Sequence, residues 1–165
     1  MSNKILPLAA TVGIALALAG CVNSTAPVSA AGATTAASPA QAFSPAEALA
    51  GINAYRAASG LAPVRLDAAA ARAARSHSET MARQGVLSHE AGGDLRTRLA
   101  AVGVARVPAV ENVAWGTRSF ADTLRLWQSS SQHNQNLQAP DVSRMGIAVS
   151  NGASGPYWSL VMLGG

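Results

Sequence analysis

Cysteine occurs once in this chain of 165 residues, at position 21, and lysine once, at position 4. A lone cysteine excludes a disulfide within the chain, so any folded domain must be held by its core alone. Charged residues make up only 12% and aromatic residues 4%. The arginines are scattered, with no basic run interleaved with aromatics, which argues against nucleic acid as a partner. No apolar stretch reads as a confident membrane span, which needs about 20 residues. Nor is there a His-Glu-x-x-His, a Cys-x-x-Cys or a Gly-x-Ser-x-Gly motif. Ready-made zinc-helix, paired-thiol and nucleophile-elbow chemistries therefore have no sequence support.

What is present begins with an export signal. Residues 1–20, "MSNKILPLAATVGIALALAG", combine one early lysine with a short, Ala-rich apolar stretch and read as a secretory signal. The "LAGC" at positions 18–21 resembles the lipobox of bacterial lipoproteins, in which the cysteine thiol carries a diacylglyceryl group and becomes the new N-terminus. Each buried CH₂ of such chains contributes roughly 0.8 kcal/mol, so a multiply acylated Cys21 would anchor the protein stably. Val22, rather than Asp, after the cysteine favours the outer membrane in an organism that has one. Residues 21–42 are otherwise Ala, Ser, Thr, Pro and Gly without charge, a composition that cannot offset its ordering entropy and reads as a flexible tether. The folded domain is expected over residues 43–165, a single-domain length. Loss of Lys4 leaves 11 arginines against 8 acids, a net charge of +3.

Within that domain, Ser44, Pro45 and Glu47 form a capping box that opens a first helix, which Gly60 ends. Asp67 caps a second helix running to about Gln84. Its Ala70, Ala74, His77 and Met81 recur on one face, so a small-residue surface that includes His77 turns inward. Asp94 caps a short third helix with Leu95, Leu99 and Val102 in one stripe. Residues 110–114 read as a strand. Ser119 and Asp122 open a fourth helix with Phe120, Leu124 and Trp127 on one face, followed by a polar segment around His133. The chain closes with two apolar β-type runs, "MGIAVS" and "PYWSLVML", joined by the five-residue loop "NGASG". Helices first and antiparallel strands last predict an α+β layered domain. Trp115, Trp127, Tyr157 and Trp158 are expected to be structural.

Glu111 stands out because "AVENVAWG" places a carboxylate inside an apolar strand, where an unpaired charge is expensive to bury. His89 and His133 lie in segments outside predicted helices, where functional groups concentrate. Two imidazoles and a carboxylate could make a three-ligand site with an open position, the count that catalytic zinc needs. The plainer reading is that the same residues form a hydrogen-bonded cluster tying the strand to two loops. A nucleophile is harder to find: Ser88, Ser130 and Ser131 lie near the histidines in sequence, but nothing marks them as activated.

Taken together, "INAYRAASGLAPVRLD" with Asn53 and Arg56, "HSETMARQGVLSHEAGGDLRTRLAAVG", "ENVAWG", "WQSSSQHNQNL", "MGIAVS" and "PYWSLVMLG" resemble, in order, the CAP superfamily, or SCP domain, in its bacterial exported members. The resemblance implies a three-layer α-β-α sandwich with a central, mostly antiparallel sheet and a surface cleft. It also implies a cleft tetrad of two histidines and two acids, which binds zinc in some members. His89, Glu111 and His133 match three of those positions. The fourth acid, expected shortly after Trp127, is absent, because the sequence there is "QSSSQ". Fold alone does not assign activity.

The resulting expectation is an exported lipoprotein of the bacterial cell envelope, anchored through Cys21. It would use a cleft around His89, Glu111 and His133 to bind a small-molecule, lipid, glycan or peptide ligand. The alternative is a metal-assisted hydrolase acting on envelope material, with those residues as ligands of a divalent metal such as zinc, or with Glu111 as general base. Asn112 is expected beside Glu111 as a backbone-bonding partner.

Overall fold

A computed structural model describes residues 43–104 and 106–165. The signal, Cys21 and the tether, residues 1–42, lie outside the described residues. Helix α1, Pro45–Ala58, begins with the capping box: the Ser44 side chain accepts from the Glu47 backbone N–H while the Glu47 carboxylate reaches back to Ser44. Helix α2, Ala68–Gln84, is capped by Asp67 and stopped by left-handed Gly85. Asp94 caps α3, Leu95–Ala101, and Ser119 caps α4, Phe120–Ser129. Local sequence rules thus place these four helices.

The strands are β1, Arg65–Leu66; β2, Ala109–Trp115; β3, Arg144–Gly152; and β4, Gly155–Leu163. They form one sheet in the order β1-β3-β4-β2, antiparallel except for the short β1 beside β3. This order puts β4 in the interior and β2 on an edge. Every residue of β4 is buried, as expected for a strand covered on both faces.

Alternation along β4 builds the two faces. Trp158, Leu160 and Met162 join Ile52 of α1, Trp127 of α4, and Met145 and Ile147 of β3 in one core. Val161 and Leu163 turn the other way, onto Ala70, Ala73 and Ala74 of α2 and Leu99 of α3. The result is the three-layer α-β-α sandwich anticipated from the sequence. Helix α2 can lie so close to the sheet because its inward face is small: Ala70, Ala74, His77 and Met81 are all fully buried. At Gly146 of β3 an added Cβ would fall 2.0 Å from the Ala71 backbone nitrogen.

Four local expectations are corrected. The connector "LAPVRL" holds the two-residue strand β1, whose pairing with β3 is set by tertiary contact. The polar segment around His133 is a helix, α5, Ser131–Leu137. Gly152 pairs with Gly155, so the hairpin loop is two residues rather than five. Trp127, Tyr157 and Trp158 are buried, but Trp115 is 48% exposed, with its indole N–H donating to the Ser154 carbonyl. Among the described residues no helix is long and apolar enough to cross a membrane.

Candidate functional site

Alternation along β2 decides where Glu111 points. Ala109 and Val113 pack on the α2 and α3 side, and Glu111 shares their face. Its side chain, 3% exposed, meets three groups. Arg98 of α3 donates from Nη1 to Oε2 at 2.6 Å and from Nη2 to Oε1 at 3.0 Å, a bidentate pair. His89 Nδ1 lies 2.8 Å from Oε1. His77 of α2 brings Nε2 to 3.7 Å from the same oxygen. The cost of burying the carboxylate is therefore met by the Arg98 guanidinium and the His89 imidazole.

Arg98 is itself held. Its Nε donates to the Gly93 carbonyl and Nη2 also donates to the His89 carbonyl, both at 2.9 Å. One arginine thus fixes the loop carrying His89, the end of the Gly92-Gly93 turn, and strand β2. Both Gly92 and Gly93 have positive φ, which lets the chain fold back onto α3 at that turn.

Electrostatics follow from this packing. Burial opposes ionisation of Glu111, but the hydrogen bonds from His89 and Arg98 and the nearby positive charge outweigh it, and the carboxyl titrates below its usual range. The hydrogen bond to Glu111 raises the His89 pKa. His77 goes the other way, because its burial penalises the imidazolium more than Glu111 favours it. His77 Nδ1 lies 3.0 Å from the Ala91 carbonyl, which can only accept, so that nitrogen carries a proton.

His133 makes no hydrogen bond into this cluster, although its ring is close enough to His89 for the two charges to repel. It sits on α5, on the outer side of edge strand β2, and its link to the strand is through its backbone carbonyl, which accepts from Asn112 Nδ2 at 2.9 Å. Asn112 thus makes the backbone bond expected of it. Asn136, also on α5, donates to the Glu111 carbonyl at 2.8 Å and to Asn112 Oδ1 at 2.9 Å. These bonds cover the open edge of β2 with a helix. The His133 ring contributes a buried Nδ1 without a hydrogen-bond partner among the described residues, and burial lowers its pKa.

Of the three residues singled out in the sequence, the structure therefore joins His89 to Glu111 and leaves the His133 ring outside that bond. Arg98, His77 and Asn136 complete the arrangement and were not assigned to it. For Arg98 a signal existed: with Leu95, Leu99 and Val102 it falls at the i, i+3, i+4, i+7 positions of the buried stripe of α3.

Glu111 is not free as a direct ligand in the His89, Glu111 and His133 set implied by the family resemblance, because both its oxygens are engaged by Arg98. Its bond to His89 Nδ1 leaves Nε2 as the nitrogen that ring could offer a metal. Among the described residues no three His, Cys, Asp or Glu side chains form a metal-holding group.

Three further arginines mark structure and surface. Arg56 is fully buried and donates to the carbonyls of Ala62, Leu137 and Ala139, binding the end of α5 to α1. On the outside of α3, a groove of about 960 Å³ is lined by Leu99, Ala100, Val104 and Val107, with Arg96 and Arg106 beside them.

Residues 49–162 match the CAP family, the cysteine-rich secretory protein family. The chain belongs to that family. The uncharacterised protein YkwD of Bacillus subtilis is 26% identical over 107 residues, covering 64% of this chain and 41% of that protein. An extracellular SCP-domain protein from Bacillus anthracis superposes with a TM-score of 0.65 at 22% identity, over 76% of this chain and 45% of the other. An outer surface protein of Borrelia burgdorferi gives a TM-score of 0.63 at 14% identity, over 70% and 88% respectively. This CAP chain thus spans less than half the length of the two Bacillus proteins.

Proposed function

We propose that this CAP domain is an exported binding module of the bacterial cell envelope, held at a membrane through a lipidated Cys21. Its ligand would be a small or extended lipid, glycan or peptide, taken up around the His89-Glu111 cleft and the adjoining surface of α3. The observation that carries this reading is the layout of α3. One side supplies Arg98 to the Glu111 cluster, and the other lines a groove of about 960 Å³ in which apolar side chains lie beside Arg96 and Arg106. Such a mixture of apolar wall and few polar groups is what ligand sites require. Around Glu111, by contrast, no serine among the described residues is bonded to His89, and both carboxylate oxygens are taken. Binding is the better use of that geometry than turnover. Export is supported by the lipobox-like "LAGC" and by the extracellular and outer-surface character of the similar proteins.

Thermal-shift measurements across lipids, glycans and peptides test the binding reading. Stabilisation by one class, weakened by Arg96→Ala or His89→Ala, is the expected result. Stabilisation by no class removes its support. For the anchor, the chain is expected in the membrane fraction and its Cys21→Ser variant in the soluble fraction; equal partitioning of the two overturns it.

A further inference from the structure

Among the described residues, three large apolar side chains are exposed at one end of the sheet: Val86 at 42%, Leu87 at 47% and Trp115 at 48%. The hairpin between β3 and β4 is their common neighbour. Gly152 abuts the last turn of α2, where an added Cβ would fall 2.7 Å from the Ala82 carbonyl oxygen. Val86 is pinned to that same turn, its N–H donating to the Met81 carbonyl at 3.2 Å, and Leu87 follows it. From the other strand, the Trp115 indole N–H donates to the Ser154 carbonyl of the hairpin, and its ring lies 6.4 Å from that of Tyr157. With its N–H engaged, the indole offers apolar ring to the outside. The other two exposed large apolar residues lie elsewhere, Leu66 beside the start of β3 and Leu126 on α4.

The chain from Cys21 enters the domain at this same end. Phe43, the first described residue, packs its ring 5.1 Å from that of Trp158, and Trp158 pairs across the sheet with Ala114, the neighbour of Trp115. Residues 21–42 span at most about 75 Å even when fully extended, so a bilayer that holds Cys21 stays within reach of these side chains. Single exposed apolar residues are ordinary, but a group of them that includes a tryptophan suits a membrane–water interface. Glu79 and Arg83, which line the hairpin, offset each other in charge.

We infer that this end of the domain rests on a lipid bilayer, with Val86, Leu87 and Trp115 entering its interfacial layer. The inference rests on the proposed anchoring through Cys21: three half-exposed side chains bind weakly by themselves, and the second attachment makes the contact persistent. Docking also sets the cleft, because Glu111 lies four residues along β2 from Trp115, about 13 Å at the rise of a strand. His89 and Glu111 are thereby held near the lipid headgroups.

The experiment takes the chain from Cys21 onward, which contains the whole described domain, and couples its single thiol to a maleimide phospholipid in phosphatidylcholine vesicles. The anchor is then fixed chemically, whether or not cells lipidate it. Tryptophan emission is read with plain and with acyl-brominated phosphatidylcholine. Trp127 and Trp158 are fully buried, so quenching reports Trp115. Brominated lipid is expected to remove emission up to the share of one tryptophan in three, with a blue shift in plain vesicles, both unaffected by high salt. Trp115→Phe abolishes the quenching, Val86→Ser with Leu87→Ser removes more than half of it, and Leu126→Ser on α4 leaves it intact. Absence of quenching in the coupled chain overturns the inference while leaving the anchor standing, since fractionation of Cys21→Ser reads the anchor separately. Quenching that survives the double serine variant, or that high salt removes, also overturns it. So does a blue shift that grows with protein concentration in the uncoupled chain without vesicles, because a second copy then covers the patch.

Discussion

Arg98 grips Glu111 through two hydrogen bonds, at 2.6 and 3.0 Å, in a place where the two side chains are 5% and 3% exposed. The pair lies thirteen residues apart in the chain and joins α3 to the edge strand of the sheet. Because the guanidinium also holds the carbonyls of Gly93 and His89, the ion pair organises the loop that presents the half-exposed imidazole.

Removing one partner leaves the other charge buried and uncompensated. Arg98→Ala is expected to cost about 3–5 kcal/mol of stability. The apolar double variant R98M/E111L should be far less damaging than the sum of its single changes. Urea denaturation of the four proteins in this cycle checks it; additive losses would mean that the pair is not coupled.

The pH dependence of stability has two opposing limbs. His89 has a raised pKa in the folded state, so its contribution is fully present below the unfolded value near 6.5 and drains away as the pH rises through the folded value. His77 and His133 have lowered values, so their contributions are present above 6.5 and are lost as the pH falls through their folded values. Glu111, also lowered, adds a further loss as the pH drops below about 4.5. Tm is thus expected to peak near neutral pH. His77→Gln should flatten the acid limb and His89→Gln the alkaline one, and a Tm profile unchanged by either variant would refute the assignment.

Close approach of α2 to the sheet makes Gly146 the most restrictive position in the core. An added methyl would lie 2.0 Å from the backbone of Ala71, so neither a rotamer change nor a side-chain shift relieves it. Gly146→Ala is expected at or above the upper end of the roughly 1–3 kcal/mol seen for overpacking. Gly60→Ala meets no atom within 4 Å and pays only for its left-handed backbone, about 1 kcal/mol. Comparing the two denaturation midpoints separates steric from conformational cost.

Covering of the β2 edge by α5 rests on amide side chains. Asn136→Ala removes two hydrogen bonds and leaves the Glu111 carbonyl unpaired, a loss of about 1–3 kcal/mol. Amide hydrogen exchange should quicken first in residues 131–137 and along β2. Uniform quickening across the whole domain would instead mean that α5 does not open on its own.

How much of this was legible in the sequence varied with the range of the interactions involved. The capped helices were readable because Ser44, Asp67, Asp94 and Ser119 act on backbone groups within three residues. The inward face of α2 was readable because its period is that of a helix. Helix α5 was not, since Gln132, His133, Asn134, Gln135 and Asn136 give it no apolar stripe, and its order comes from bonds to β2 and to Tyr55 of α1. Strand β1, two residues long, exists because β3 lies beside it.

For the site, the sequence by itself determined that a carboxylate would be buried at position 111 and that polar partners would have to meet it. Which partners did so was decided only by tertiary structure. Pleating turned Glu111 toward α2 and α3, and that orientation brought Arg98 and His77 to it while leaving the His133 ring outside the bond. A local pattern specifies the face on which a side chain lies; only the packing of helices on the sheet determines what stands opposite.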